Sequence, residues 1–285
     1  MLINLRPSRV RDWVAKRFEV GALAQQQGLL SNWFETPFGR SVLQQQHHCS
    51  ATLLSGLGGY RAAQLGISAE HSLLHNCQQA HCFTLTAACG TGGVQPSGIC
   101  ELTALPLPSN TIDLAVLHHT LDFSPDPHSV LNEAARVVIP GGYMVLVGFN
   151  PYSLFGLAKW PAALWSEHPV WRRNSLRAGR LRDWLRLLGF QPVTIFRGCR
   201  QLPVQNPGVL RRLGRLAWLG KLADRGRLPG GAFYMVVARK QVPGMTGVAS
   251  LQWPRIPVPR FNLQLRLPEE QPHTPNNLNT KWHTN

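Results

Sequence analysis

Residues 101–151 hold side chains whose types and spacing could do chemistry. Glu101 stands four positions before Leu105, and Asp113 opens the apolar run Leu114-Ala115-Val116-Leu117, which His118 and His119 close. A histidine at such a position can act as a base, because its unperturbed pKa lies near neutrality. Asp122 follows, and Asn150-Pro151-Tyr152 ends a second apolar run on the same side. A glycine-rich stretch, Gly56-Leu57-Gly58-Gly59, could let backbone pass close to a ligand where a side chain would block it. Between His71 and Cys100 the residues His71, His75, Cys77, His81, Cys82, Cys89 and Cys100 are of zinc-binding type. Their spacings match no usual zinc module, so no metal is expected.

These residues must be positioned by alternating strands and helices. Asp126 is a suitable N-cap and Pro127 a suitable first residue for a helix running to about Val138, stopped by Pro140-Gly141-Gly142. Tyr143 to Phe149 reads as the next strand. Upstream, residues 7–47 read as largely helical, Ala51–Ser55 as a short strand and Ala62–Leu65 as a short helix. Cys82–Ala87 and Gly98–Leu102 read as strands. Downstream come an aromatic, proline-broken insertion at 152–175, a helix at 176–188, a strand at 192–196, a basic leucine-rich helix at 209–222 and a strand at 232–239. The expected organisation is a helical segment 1–48, an α/β domain 49–240 and a disordered tail 241–285.

The net charge of +15 is concentrated. Residues 1–170 have 9 Lys/Arg against 10 Asp/Glu, whereas 171–240 have 16 against 2. Such a block suits an anionic partner: nucleic acid is expected ahead of a peripheral membrane surface, and a purely solvated basic face is the plain alternative. No run of 18 uninterrupted apolar residues occurs, so no transmembrane segment is expected. The first twenty residues carry charges where a secretion signal needs an apolar core. The six cysteines form no C-x-x-C pair, and a cytoplasmic setting with reduced thiols is expected.

The order Glu101, Asp113, His118-His119, Pro140-Gly141-Gly142, with the segments WFETPFGR, LPLPSNTIDLAVLHHTLDF and GFNPYSLFGL, resembles class I S-adenosylmethionine-dependent methyltransferases of the type 11 kind, in a bacterial subgroup. The resemblance implies a Rossmann-like sheet, mostly parallel with its last strand antiparallel, preceded by helices. It also implies S-adenosylmethionine as cofactor and an unidentified methyl acceptor. Of two glycine-rich candidates for the cofactor loop, Gly56–Gly59 is preferred over Gly90–Gly93. Only eight positions separate Gly93 from Glu101, and a parallel crossover needs about a dozen. The resemblance thus assigns Gly56, Gly58, Gly59, Glu101, His118 and His119 to cofactor binding, with Glu101 beside the adenine and His119 the candidate catalytic residue. The chain lacks an acid just before Gly56, and Thr84–Cys89 lacks the acid that would hold the ribose. Two functions follow: a methyltransferase, or a non-catalytic relative that binds an anionic partner through its 171–240 block.

Overall fold

The computed structural model describes residues 20–241 except 22, 90–92, 158, 160–167 and 199–230. The basic helix expected at 209–222, Trp160, Trp165 and the tail expected at 241–285 thus lie, but for Gln241, outside the described residues. The strands β1 (Arg61–Gly66), β2 (His81–Thr86), β3 (Gly98–Ile99), β4 (Ile112–His118), β5 (Val138–Phe149), β6 (Phe190–Gly198) and β7 (Phe233–Lys240) form a seven-stranded sheet. Its order is β3-β2-β1-β4-β5-β7-β6. The first five strands pair in parallel, and β7 runs antiparallel between β5 and β6. The mostly parallel sheet with one reversed strand is the expected one.

β4 is buried from Leu114 to His118, as a central parallel strand covered on both faces must be. Helices α1 (Leu23–Phe34) and α2 (Pro37–Leu54) precede the sheet. Thr36 caps α2 by accepting from Gly39 N–H at 3.1 Å, with Pro37 in the first turn. Gly39 is required by close approach: a Cβ there would lie 2.3 Å from Trp33 O. After β4 come α3 (Thr120–Phe123) and α4 (Pro127–Val137). Asp126 caps α4 by accepting from His128 and Ser129 N–H, both at 3.1 Å. Then follow α5 (Leu154–Leu157), α6 (Pro169–Arg172) and α7 (Ala178–Leu187), the last closed by Gly189 at φ 78°. The aromatic insertion joins the core: Phe155 is fully buried and its ring lies 5.5 Å from Trp33 and 5.3 Å from Trp171.

The spacing of the 101–137 segment has a mechanical cause. Arg136 on α4 donates to Leu105 O at 3.1 Å and Leu107 O at 3.0 Å, while Glu133, paired with Arg136, accepts from Leu105 N–H at 3.0 Å. The loop after β3 is thereby strapped to α4, and Glu101 is left exposed at the C-terminal end of β3.

Several local expectations change. Residues 51–54 are the last turn of α2, not a strand, and 62–65 are the heart of β1, not a helix. The helical segment therefore runs past residue 48 to Leu54. The strand expected over 98–102 pairs only at Gly98 and Ile99. Pro140-Gly141-Gly142 does more than stop a helix. It forms a bulge in β5 between the pairs Ile112–Val138 and Leu114–Tyr143, with Gly141 at φ 83°. The short apolar runs were ambiguous because β1 reads Ala-Ala-Gln-Leu, and its strand state comes from pairing with β2 and β4.

The glycine turn 56–59 consequently precedes β1 instead of following it. It sits where the parallel strands begin, beside Asp113 at the start of β4, whose carboxylate accepts from Arg61 N–H at 3.0 Å. A Cβ on Gly59, which has φ 138°, would lie 2.4 Å from Asp113 Cβ, whereas one on Gly58 meets nothing within 4 Å. Gly59→Ala is therefore expected to destabilise the fold by about 1–3 kcal/mol, and Gly58→Val to stay within about 0.5 kcal/mol of wild type. Urea unfolding of the two variants checks this, and a large loss in Gly58→Val would contradict the placement.

Candidate active site

In open parallel sheets, ligands bind beyond the C-terminal strand ends, where the strand order reverses. Here that point lies between β1 and β4, and a chain of buried polar groups occupies it. His119 is fully buried in a left-handed conformation, φ 55° and ψ 10°, which is costly for a residue other than glycine. Its N–H is held by Val147 O at 2.9 Å. Asp122, also buried, accepts from His119 Nδ1–H at 2.9 Å and from Phe149 N–H at 2.9 Å through the same Oδ2. A carboxylate only accepts, so Nδ1 carries the proton. With both rings uncharged, Gln46 on α2 then donates Nε2–H to His119 Nε2 at 2.8 Å, and its Oε1 accepts His118 Nε2–H at 2.9 Å.

Among the described residues, the relay ends in two buried atoms without a partner, His118 Nδ1 and Asp122 Oδ1. Such groups are costly unless something satisfies them. Around the relay, the Phe34 ring lies 5.3 Å from His71, 6.0 Å from His118 and 5.6 Å from His119. Phe149 lies 4.1 Å from His119. Thr120 Oγ1 donates to Leu65 O at 2.6 Å, which ties the turn after β4 to β1.

The loop after β1 is Ile67-Ser68-Ala69-Glu70-His71-Ser72. Gln64, fully buried in β1, accepts Leu73 N–H at 2.7 Å and donates to His71 O at 3.4 Å, so one carboxamide sets the course of this loop. At the end of β2, Gln27 of α1 forms a two-way pair with the Ala88 backbone. Its Nε2–H donates to Ala88 O at 2.9 Å, and its Oε1 accepts Ala88 N–H at 3.0 Å.

The structure brings Glu101, His118 and His119 to one edge of the sheet and puts Gly56, Gly58 and Gly59 at the other. The backbone loop next to the histidines is 66–72. Its sequence, GISAEHS, contains only one glycine and so carries no glycine-loop signal. Gln46 is 73 positions from His119 and gave no sequence signal, whereas Asp122 lies one helical turn after it. Asn150 spends its side chain on Gly231 O at 3.0 Å and Tyr152 N–H at 3.1 Å, so it joins β5 to the approach of β7. Among the described residues no three His, Cys, Asp or Glu side chains are arranged to hold a metal ion. Burial pushes the Cys49 and Cys77 thiols up to about 12, which leaves them unreactive. No described helix is long and apolar enough to cross a membrane.

Burial holds His118 well below the usual imidazole pKa, helped by repulsion from His119, His71 and His47. Burial also lowers His71 and, with the His75 and His71 charges, His47. In the unfolded chain these rings protonate near pH 6.5. A lowered folded pKa means the unfolded state gains protons first as pH falls. Stability should therefore be full above about pH 6.5 and drop below it, by up to about 1.4 kcal/mol per pH unit for each ring. Urea titrations from neutral to mildly acidic pH measure the slope. His118→Gln should flatten it, and an unchanged slope would contradict the assignment.

Comparison with known proteins adds three findings. Residues 85–146 match the family described as a methyltransferase domain. The Escherichia coli (strain K12) protein YafS, described as uncharacterised, is 27% identical over 214 residues, 75% of this chain and 82% of that protein. An S-adenosylmethionine-dependent methyltransferase structure from Archaeoglobus fulgidus superposes with a TM-score of 0.52 at 17% identity, covering 74% of this chain and 99% of that one. A structure of a methyltransferase activator with a methyltransferase from Haloferax volcanii gives 0.51 at 16% identity, covering 75% and 98%. Residues 85–146 thus carry the signature of a methyltransferase domain, and the chain has the fold of S-adenosylmethionine-dependent methyltransferases.

Proposed function

We propose that the chain is an active methyltransferase whose cofactor lies along the C-terminal ends of β1 to β4. The carrying observation is the buried relay at the strand-order reversal, which leaves His118 Nδ1 unpaired beside the loop after β1. An unpaired buried acceptor there fits a polar ligand. Gly66 supports the fit by letting β1 end close to His118 and Gln64. Glu101 would hold the adenine amine, and the backbone of 67–72 would line the methionine end. When bound, S-adenosylmethionine supplies an electrophilic methyl group on a sulfonium.

The chain's own part is to orient the acceptor, keep water out and take a proton. His119 is the candidate base: Asp122 fixes its tautomer, so Nε2 carries the lone pair. In this arrangement Gln46 occupies that lone pair. The base becomes available when Gln46 turns to the acceptor, a change confined to one side chain of α2.

One observation favours the non-catalytic alternative. The end of β2 has no carboxylate, and Gln27 occupies the Ala88 backbone from α1. On that reading an anionic partner, nucleic acid ahead of a membrane surface, would use the basic block, of which Arg177, Arg180, Arg182 and Arg186 are exposed on and before α7.

Titration calorimetry with S-adenosylhomocysteine separates the two. The expected result is saturable heat, with stabilisation of about 2.7 kcal/mol at a hundredfold excess over Kd. Glu101→Ala, an exposed change, should weaken binding by about 1.5–3 kcal/mol. His119→Gln should keep the heat while lowering methyl incorporation into cell extract by about 10²–10⁴. Neither heat nor stabilisation in wild type would refute the enzyme reading. RNA gel shifts that weaken steeply as salt rises would then support the alternative.

A further inference from the structure

One strong charge beside the relay is unused by the chemistry above. Asn174 donates to Leu121 O at 3.0 Å and Ser124 O at 2.7 Å, and its N–H to Asp122 O at 2.6 Å. These bonds clamp the segment after α6 onto α3 and deliver the neighbouring Arg173 to the end of β5. The Arg173 guanidinium lies 4.9 Å above the Phe149 ring and 4.4 Å above the Phe155 ring. Phe149 is the ring that also packs on His119.

Arg173 is 3% accessible, yet among the described residues its guanidinium donates one hydrogen bond, to Val170 O, and meets no carboxylate within ion-pair distance. A buried guanidinium normally has a carboxylate or several carbonyls, because the loss of hydration is otherwise uncompensated. Asp122 is near enough for its charge to act on Arg173, but it spends Oδ2 on His119 and Phe149. Two faces of aromatic carbon offset part of the cost and give the N–H edge no acceptor. That unfilled edge, at the same strand end as the candidate base, is what a bound oxyanion would complete.

We propose that Arg173 recognises an oxyanion, a carboxylate or a phosphoryl group, on the methyl acceptor, whose apolar part rests against Phe149 and Phe155. Calling the ligand an acceptor rests on the methyltransferase reading. The anion site itself does not.

Thermal unfolding of the full chain, with benzoate, its neutral isostere benzamide, or inorganic phosphate, tests this. Benzoate or phosphate should raise the wild-type Tm by several degrees, and benzamide should not. A benzoate response points to a carboxylate and a phosphate response to a phosphoryl group. Arg173→Met should unfold cooperatively, with a Tm equal to or above wild type, and lose the anion response. Should the Met variant fail to fold, Arg173→Lys decides. It keeps the charge and loses the planar fork, so a weakened anion response at near wild-type Tm supports the site, and an undiminished response overturns it. Equal effects of benzoate and benzamide with none from phosphate, or no anion response in wild type, also overturn it. S-adenosylhomocysteine calorimetry on the same proteins keeps the two readings apart. Heat without an anion response sinks the anion site alone, and an anion response without heat sinks the methyltransferase reading alone.

Discussion

The Asp122 carboxylate is the group on which the site depends. It is 1% accessible, and it binds the His119 ring and the Phe149 backbone through one oxygen. A buried carboxylate must be paired, and breaking such a pairing typically costs about 3–5 kcal/mol. The two contacts therefore fix the tautomer of His119, the end of β5 and the left-handed turn after β4 together. Gln46 extends that order to His118 and to α2, so helices that precede the sheet in sequence are locked to its C-terminal edge.

The arrangement differs from an open cleft. Phe34 lies among three histidine rings, Gln27 engages the Ala88 backbone and Gln46 bridges both histidines of β4. All three come from α1 and α2. The N-terminal helices thus form a wall over the C-terminal ends of β1, β2 and β4. That docking rests on ordinary elements, the Thr36 cap and the close approach at Gly39, backed by burial of Leu30, Phe34, Val42 and Leu54.

At the ends of β1 and β2, carboxamides make the buried side-chain hydrogen bonds to the backbone. Gln64 stands in β1 and shapes the following loop through neutral hydrogen bonds, and Gln27 reaches the end of β2 from another helix. Neutral groups give up charge-assisted strength, roughly a factor of two per bond, but a buried amide needs no counter-ion. Positive charge instead lies at the end of β5, where Arg173 stacks on Phe149 and Phe155.

The sequence by itself determined the central βαβ unit and the type of sheet. Asp113 to Phe149 carries its own start, cap and stop signals, and alternating apolar runs and caps act over a few residues. His118 and His119 were legible for the same reason, since they close a recognisable strand, whereas Glu101 was picked out by the family resemblance. Only the tertiary structure decided which short apolar run was β1. Residues 51–54 and 62–65 are both compatible with either state, and pairing with β2 and β4 selected the second. That choice moved the glycine turn to the far edge of the sheet, where Gly59 is needed for close packing on Asp113. It also placed a nearly glycine-free loop beside the histidines. Gln46 and Gln27 became visible only in three dimensions because their partners lie 61 to 73 positions away, and Arg173 because its partners are rings and a backbone carbonyl with no pattern along the chain.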